Sequence, residues 1–422
     1  MNLALSKTIA KLRRNHLAGN AQINQLEDLD GEVVALLALP DGKLMLGINL
    51  DGSFCIARLT ADLQLDTSFQ EVGYFEDDFN DHAFGFAAVT HLALRGETLL
   101  VTAAQFDFFD WIDRPALASY TLEGEPDLSF GDHGKVVVEL PDSTGKNRKR
   151  LRSSLTPVGS PQTLDDGKIL LFFLEVRDTN PDGSALLIRL NANGSLDDSL
   201  NGSGVVHVTF NERGINPKGV LTQGQKLLVF GGTQPVDSTG YALIARYDAS
   251  GHLDTSFNDS GFVAVGIEGQ VARFNSLLID EDDTLVAVGN QGAQVLMAKR
   301  LPEGATDPDF NGGTALAFAL PELDGEGFDV DQLYAMRAHN RSLVVAGTGS
   351  LRSGPFQRKG VLLRLLPNGQ LDGTFAGGHG YRIADIRSEY YDLLIEPQAI
   401  VTAGYYVDDA YHAWVQRFGI DG

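Results

Sequence analysis

GHLDTSFNDSGFVAV (residues 251–265) carries the five-letter word Leu253-Asp254-Thr255-Ser256-Phe257, and Leu65-Asp66-Thr67-Ser68-Phe69 repeats it letter for letter. Weaker copies run over residues 126–130, 196–200, 306–310 and 371–375. Their aligned aspartates, Asp66, Asp127, Asp197, Asp254, Asp307 and Asp372, lie about 61 residues apart on average, a period that signals a solenoid, propeller or array. Eight residues before the aspartate stands Arg58, Arg189, Arg246 or Arg364, with Ser119 and Lys299 as departures.

The surroundings repeat as well. A turn and an apolar run come first (PDGKLMLG, DDGKILLFF, QGQKLLVFG, NRSLVVAG). A second apolar run carries the arginine (SFCIARL, SALLIRL, YALIARY, GVLLRLL), and a glycine and a last run follow the word (GKVVVEL, GFVAVGI, GYRIADI). Apolar runs of four to eight residues bounded by Gly, Asp and Asn read as strands. Each unit therefore holds four short strands, A to D in chain order, with the word between C and D. The turn before strand B recurs seven times and the arginine position seven times, ending at Arg417, but only six words follow. The missing last strand D is matched by a spare strand-like segment at residues 21–26. This predicts an all-β fold: a seven-bladed β-propeller of four-stranded antiparallel blades, closed by an N-terminal strand joining the C-terminal blade. Residues 1–20 would be an N-terminal extension and residues 21–422 a single propeller domain. Within the extension, Leu3, Leu5, Ile9 and Leu12 have a helix-like spacing, which suits a docking peptide, a surface helix or a frayed end.

The units resemble the delta-60 repeat family, in Asp41-Gly42-Lys43, Ala57-Arg58-Leu59 with the word at Leu65 to Phe69, and again in Ala245-Arg246-Tyr247 with Leu253 to Phe257. The resemblance spans nearly all of residues 21–422. It implies a β-propeller and brings no agreed activity. Unit five departs most, with Lys299-Arg300 and Asp309, and unit three ends its word in Leu200.

A word present in every unit is explained most simply by the unit. Its aspartate can accept backbone N–H groups in an Asx-turn, its Phe can bury between neighbours for roughly 1.5–3 kcal/mol, and the upstream Arg can pair with the aspartate, for ~0–1 kcal/mol if exposed. Function is then sought in what is not repeated. In a four-stranded meander the B–C and D–A connections share one face, and the irregular loops fall there. That face gathers Tyr74, Phe75, Phe79, Phe106, Phe108, Phe109, Trp111, Tyr405, Tyr406 and Tyr411 beside many carboxylates, and the basic residues Arg148, Lys149 and Arg150. Loops on a rigid scaffold commonly bind, and aromatic rings supply contact area with few rotors to freeze. Two readings of the rings stand side by side: a recognition face for a protein or carbohydrate partner, or satellite cores under long loops. The basic run is either a dock for acidic groups or a solvated loop.

Other classes fall away. A net charge of −23, from 33 Lys and Arg against 56 Asp and Glu, argues against nucleic acid as a partner. The single cysteine, Cys55, excludes an internal disulfide framework. No apolar run is long enough for a transmembrane segment and the start has no secretory h-region, so the expected location is cytoplasmic, or outside by export without a classical signal peptide. No GxSxG, P-loop, GxGxxG or HExxH pattern occurs and no histidine pair has metal-ligand spacing. No cofactor and no metal site is expected. Calcium is the one ion that the carboxylate clusters at residues 28–30, 280–283 and 329–331 would suit, and none of them matches a known loop. The expected function is a non-catalytic binding or interaction scaffold. The alternative is a glycan- or ester-directed hydrolase or lyase with acidic residues on the same face. Trp111→Ala is expected to leave the thermal melt nearly unchanged and to weaken partner binding, both measurable on the purified chain.

Overall fold

Strand B of each unit is a run of apolar residues buried on both faces, as in Leu44–Asn49 and Leu285–Gln291. Strand C is the same, as in Phe54–Leu59 and Ala242–Tyr247. Such runs bury only if a sheet is covered on both sides, and here the cover is another sheet of the same kind. The computed structural model describes residues 11–16, 22–79, 85–107, 112–141, 161–177, 180–323, 325–353, 357–408 and 410–421.

Among the described residues the strands form six antiparallel sheets: four of four strands, one of eight and one of five. The first unit is the meander Glu32–Ala38, Leu44–Asn49, Phe54–Leu59, Tyr74–Asp77. The eight-stranded sheet is two such meanders, units three and four, joined where Thr209 and Phe210 pair with Gly214 and Arg213. The only helices described are three 3₁₀ turns directly after a word, such as Phe257–Asp259. None is long and apolar enough to cross a membrane. The five-stranded sheet holds Ser388–Glu396, Ala399–Val407 and Tyr411–Gly419 from the end of the chain, then Gln22–Asp30 and Lys11–His16 from its beginning. Gln22 pairs with Arg417 and Gln25 with Trp414. The helix-like spacing of the first residues does not extend into a helix: Lys11–His16 is a strand on the outer edge, where the ladder offered by Gln22–Asp30 outweighs a weak local preference. Residues 1–10 lie outside the described set.

The core sits between sheets. Met45, Ile56 and Phe69 of unit one pack with Leu92, Val101 and Ala118 of unit two. On its other side, Val33, Leu36 and Leu46 pack with Val401, Ala403 and Val415 of the terminal sheet.

The repeated word is where the sheets are stapled. Asp66 Oδ1 accepts Ser68 N–H at 3.1 Å and the Ser68 hydroxyl at 2.6 Å, the expected Asx-turn. Its Oδ2 takes Arg58 Nε at 2.8 Å and Lys43 Nζ at 2.9 Å. Lys43 is the lysine of the Asp-Gly-Lys turn, so both halves of the signature meet on one carboxylate. Arg58 then reaches the next sheet, donating to Leu122 O at 2.9 Å, and lies over Phe69 at 4.7 Å. Arg189 reaches Ala249 O (2.7 Å), Arg246 reaches Pro302 O (3.0 Å) and Arg364 reaches Ile420 O (2.8 Å) in the same way. Arg417, last in the series, donates to Ala61 O at 2.7 Å, back in unit one. Where the arginine is absent the staple is rebuilt: the Ser119 hydroxyl meets Asp127 at 2.9 Å while Arg95 covers Phe130, and Lys299 meets Asp307 at 3.3 Å. The arginine–aspartate pair is buried, not exposed (Arg58 3%, Asp66 7%), so the small surface-pair value does not apply. Lys226 and Ser256 hold the Asp254 carboxyl well below its usual range.

The ring of each word closes against the next turn. A side chain at Gly304, where φ is +85°, would strike the Phe257 ring at 2.8 Å. Phe257→Ala is therefore expected to destabilise the protein by ~3–5 kcal/mol. Phe257→Leu, the residue found naturally at position 200, is expected to cost under about 1.5 kcal/mol. Urea unfolding of the two variants checks the ranking.

Candidate functional site

One irregularity recurs in strand A. The pairing of A with B slips between Val33 and Ala35, Val89 and His91, Pro217 and Gly219, Phe274 and Ser276, Leu333 and Ala335, and Tyr390 and Asp392. Each slip is a β-bulge that leaves one extra residue out of the ladder and re-aims its side chain. The extra residues are Val34, Thr90, Lys218, Asn275, Tyr334 and Tyr391, and all six line one cavity of about 280 Å³ between the sheets. His91, Arg337 and Asp392 complete its charged lining.

Behind the tyrosines of its lining in units six and seven lies Glu389, which is fully buried. Glu389 accepts the Tyr405 hydroxyl at 2.7 Å, the Tyr334 hydroxyl at 3.0 Å and Arg358 Nη1 at 3.1 Å. Glu32, two residues before the bulge of unit one, stands in its field. Burial, then the Glu389 charge, pushes the Glu32 carboxyl up to about 7. Tyr391 is raised by burial and by both glutamates. The rings form a ladder: Tyr334 to Tyr391 at 4.9 Å, Tyr391 to Tyr405 at 5.7 Å, Tyr405 to Tyr411 at 5.0 Å. Two of these tyrosines line the cavity and the last, Tyr411, is 47% exposed. Ring-to-ring contacts thus run from the cavity lining, through the buried Tyr405, to the outside.

The charged groups that line the cavity differ in character. Asp392 is neutralised by Arg337 at 3.0 Å and accepts Leu36 N–H at 3.0 Å. Burial pushes His91 down to about 4, against the pull of Asp392. Burial, then the neighbouring Arg273, pushes Lys218 down to about 8. On the rim of unit two, burial alone lifts Asp113 to about 6. No group of three or more His, Cys, Asp or Glu side chains is arranged to hold a metal among the described residues.

The residues expected from sequence to form a recognition face divide. Phe79 and Phe106 are buried, Phe79 against Phe54 at 5.6 Å and Phe106 stacked on Phe86 at 5.0 Å. Tyr74 and Phe75 are half-buried and join the cores on either side of unit one, Phe75 4.9 Å from Tyr120. Tyr406 is buried against Trp414 and His412. Of the expected residues that are described, only Tyr405 and Tyr411 join the tyrosine ladder that leads from the cavity lining. Phe108, Phe109, Trp111, Arg148, Lys149 and Arg150 lie outside the described residues. Sequence reasoning passed over Glu32, Lys218 and Tyr334, because each sits inside a strand run where only alternation is visible; Glu389 falls in residues 388–391, which read as a D–A loop of the variable face and instead open the strand Ser388–Glu396. Tyr390-Tyr391 beside Glu389 was the one available signal.

A glutamate raised to about 7 destabilises the fold when charged. The folded state binds the proton first, so stability falls as pH rises from about 4.5 to about 7, and the full cost of about 3 kcal/mol is present above that. Glu32→Gln should therefore be more stable than the natural chain at pH 8, by up to ~3 kcal/mol, and equal to it at pH 4. Urea unfolding at the two pH values reads the difference.

A model of the family described as a domain of unknown function (DUF5122) β-propeller matches residues 39–69, the turn, B and C strands and word of unit one. With the sheets above, this makes the chain a β-propeller. No curated protein matches it. Among solved structures it is similar to the polysaccharide lyase Uly1 (10% identity, TM-score 0.47, covering 99% of this chain and 94% of that one). It is also similar to virginiamycin B lyase from Staphylococcus aureus in complex with quinupristin (12%, 0.44, 94% and 98%). A third is the β-propeller domain of the Trilobed protease from Pyrococcus furiosus (8%, 0.36, 79% and 83%).

Proposed function

We propose that the chain is a seven-bladed propeller closed into a ring, a single domain over residues 21–422, and that it is a binding protein. Its ligand, a carbohydrate or a protein segment, would be gripped at the mouth of the central cavity on the face of the B–C and D–A connections. Closure is supported by the last staple, Arg417 to Ala61, by Leu36 N–H on Asp392, and by the pairing of Gln22–Asp30 with Tyr411–Gly419. The observation that carries the binding reading is the tyrosine ladder from cavity to rim, backed by the hydrogen-bonded Glu389. Rigid rings with one polar end suit sugar faces and peptide side chains alike.

A second reading is a hydrolase or lyase using the same wall. Glu32, poised near neutrality beside a charged neighbour, has the character of a general acid or base. The two readings part in one experiment. The intact chain is screened on glycan and peptide arrays, and each ligand is then incubated with it and analysed for cleavage. Binding without turnover is expected, with Tyr411→Ala weakening it about tenfold, ~1.4 kcal/mol, at an unchanged melting temperature. Turnover that Glu32→Gln abolishes would replace the scaffold reading with the enzymatic one, and unchanged binding by Tyr411→Ala would remove the ladder from it.

A further inference from the structure

We propose that the central cavity is a site for a small hydroxylated anion, held by Lys218 with Arg273 beside it and by the amide of Asn275. The bulge between Pro217 and Gly219 turns Lys218 into the cavity, and the bulge between Phe274 and Ser276 does the same for Asn275. Among the described residues neither Lys218 nor Arg273 forms an ion pair or a side-chain hydrogen bond. Every other charged group that lines the cavity is either satisfied or uncharged near neutral pH; Glu32 and Glu389 stand behind the lining, Glu389 held by Arg358. Asp392 is held by Arg337 and by Leu36 N–H, and His91 is driven toward its neutral form. The charge left over in the cavity is therefore positive. That is notable in a chain of net charge −23, where an internal carboxylate partner would be easy to supply. Both side chains are half-buried, and cations drawn out of water without a partner are normally paired or ligated.

A second orphan points to the same space. One end of the Asn275 amide donates to Asn290 Oδ1 at 2.6 Å; its other end, Oδ1, is buried and has no partner, on a residue that lines the cavity. A carbonyl oxygen accepts a hydrogen bond, so the ligand must bring a donor as well as a negative charge. Protonated phosphate, a hydroxy acid, or the acidic end of a sugar each has both. A cavity of about 280 Å³ admits any of them. This site lies on the opposite wall from the Tyr411 ladder and does not depend on the reading of the rim.

The experiment is titration calorimetry of the intact chain with three probes, inorganic phosphate, D-glycerate and D-glucuronate, at matched ionic strength in chloride. Saturable binding of at least one is expected. Tightest binding of phosphate would mark a free oxyanion as the ligand, and tightest binding of glucuronate an acid carried on a sugar ring. Lys218→Met should weaken the bound probe at least tenfold, whereas Lys218→Arg should retain it within about threefold. Tyr411→Ala should leave these affinities unchanged, which separates this site from the rim. Thermal melting in the absence of probe controls for folding: removing an unpaired, half-buried cation should leave Lys218→Met as stable as the natural chain or more so. No saturable binding of any probe, or equal binding by Lys218→Met, overturns the proposal.

Discussion

One carboxylate per unit organises this molecule. Asp66, and its equivalents Asp197, Asp254 and Asp372, accept bonds from their own turn and from the arginine of strand C. In the first three, the lysine beside strand B adds a third partner. The arginine cannot leave that carboxylate without also releasing the next sheet's carbonyl and uncovering the phenylalanine beneath it. Local turn geometry, pairing within a sheet and packing between sheets are therefore one coupled event. A buried charge whose partner is removed costs several kcal/mol, so the word tolerates change only with compensation. Units two and five show that compensation, through Arg95 and Lys299.

That coupling explains which parts of the structure could be read in advance. Strand order, the four-strand unit, the position of the word and the partner for the strand missing at the C-terminus all follow from a contact made again every sixty or so residues. A repeated contact leaves a repeated spelling. The cavity leaves none. Val34, Thr90, Lys218, Asn275, Tyr334 and Tyr391 share a position and no chemistry, and a bulge has no composition of its own. Rings in irregular segments were conspicuous by type, but type does not tell whether a ring faces water. Phe79 and Phe106 fold under their own connections because a large apolar surface gains more by contact with Phe54 and Phe86 than by exposure. Tyr411 stays out because it begins its strand at the open edge of the tyrosine ladder.

The interior of the propeller is electrically divided. On one side, Glu389 and Glu32 stand close together with three tyrosines and Arg358, and burial, reinforced by the Glu389 charge, appears as the raised affinity of Glu32 for a proton. On the other, Lys218 and Arg273 crowd together, and Lys218 yields part of its affinity. The outer frame has its charges matched at every staple, whereas the centre leaves some unmatched. Perturbed groups gathered in a cavity are the usual mark of a place where a ligand is handled.

The extra residue at each bulge belongs to no ladder, and at four of them, Thr90, Lys218, Asn275 and Tyr334, it belongs to no inter-sheet core either. Its identity is thus released from the demands that fix the rest of strand A. Four such letters, lining one cavity, can be respelled one at a time while the sheets around them keep their packing. A lineage of such chains would be able to change what it recognises without having to reinvent how it folds.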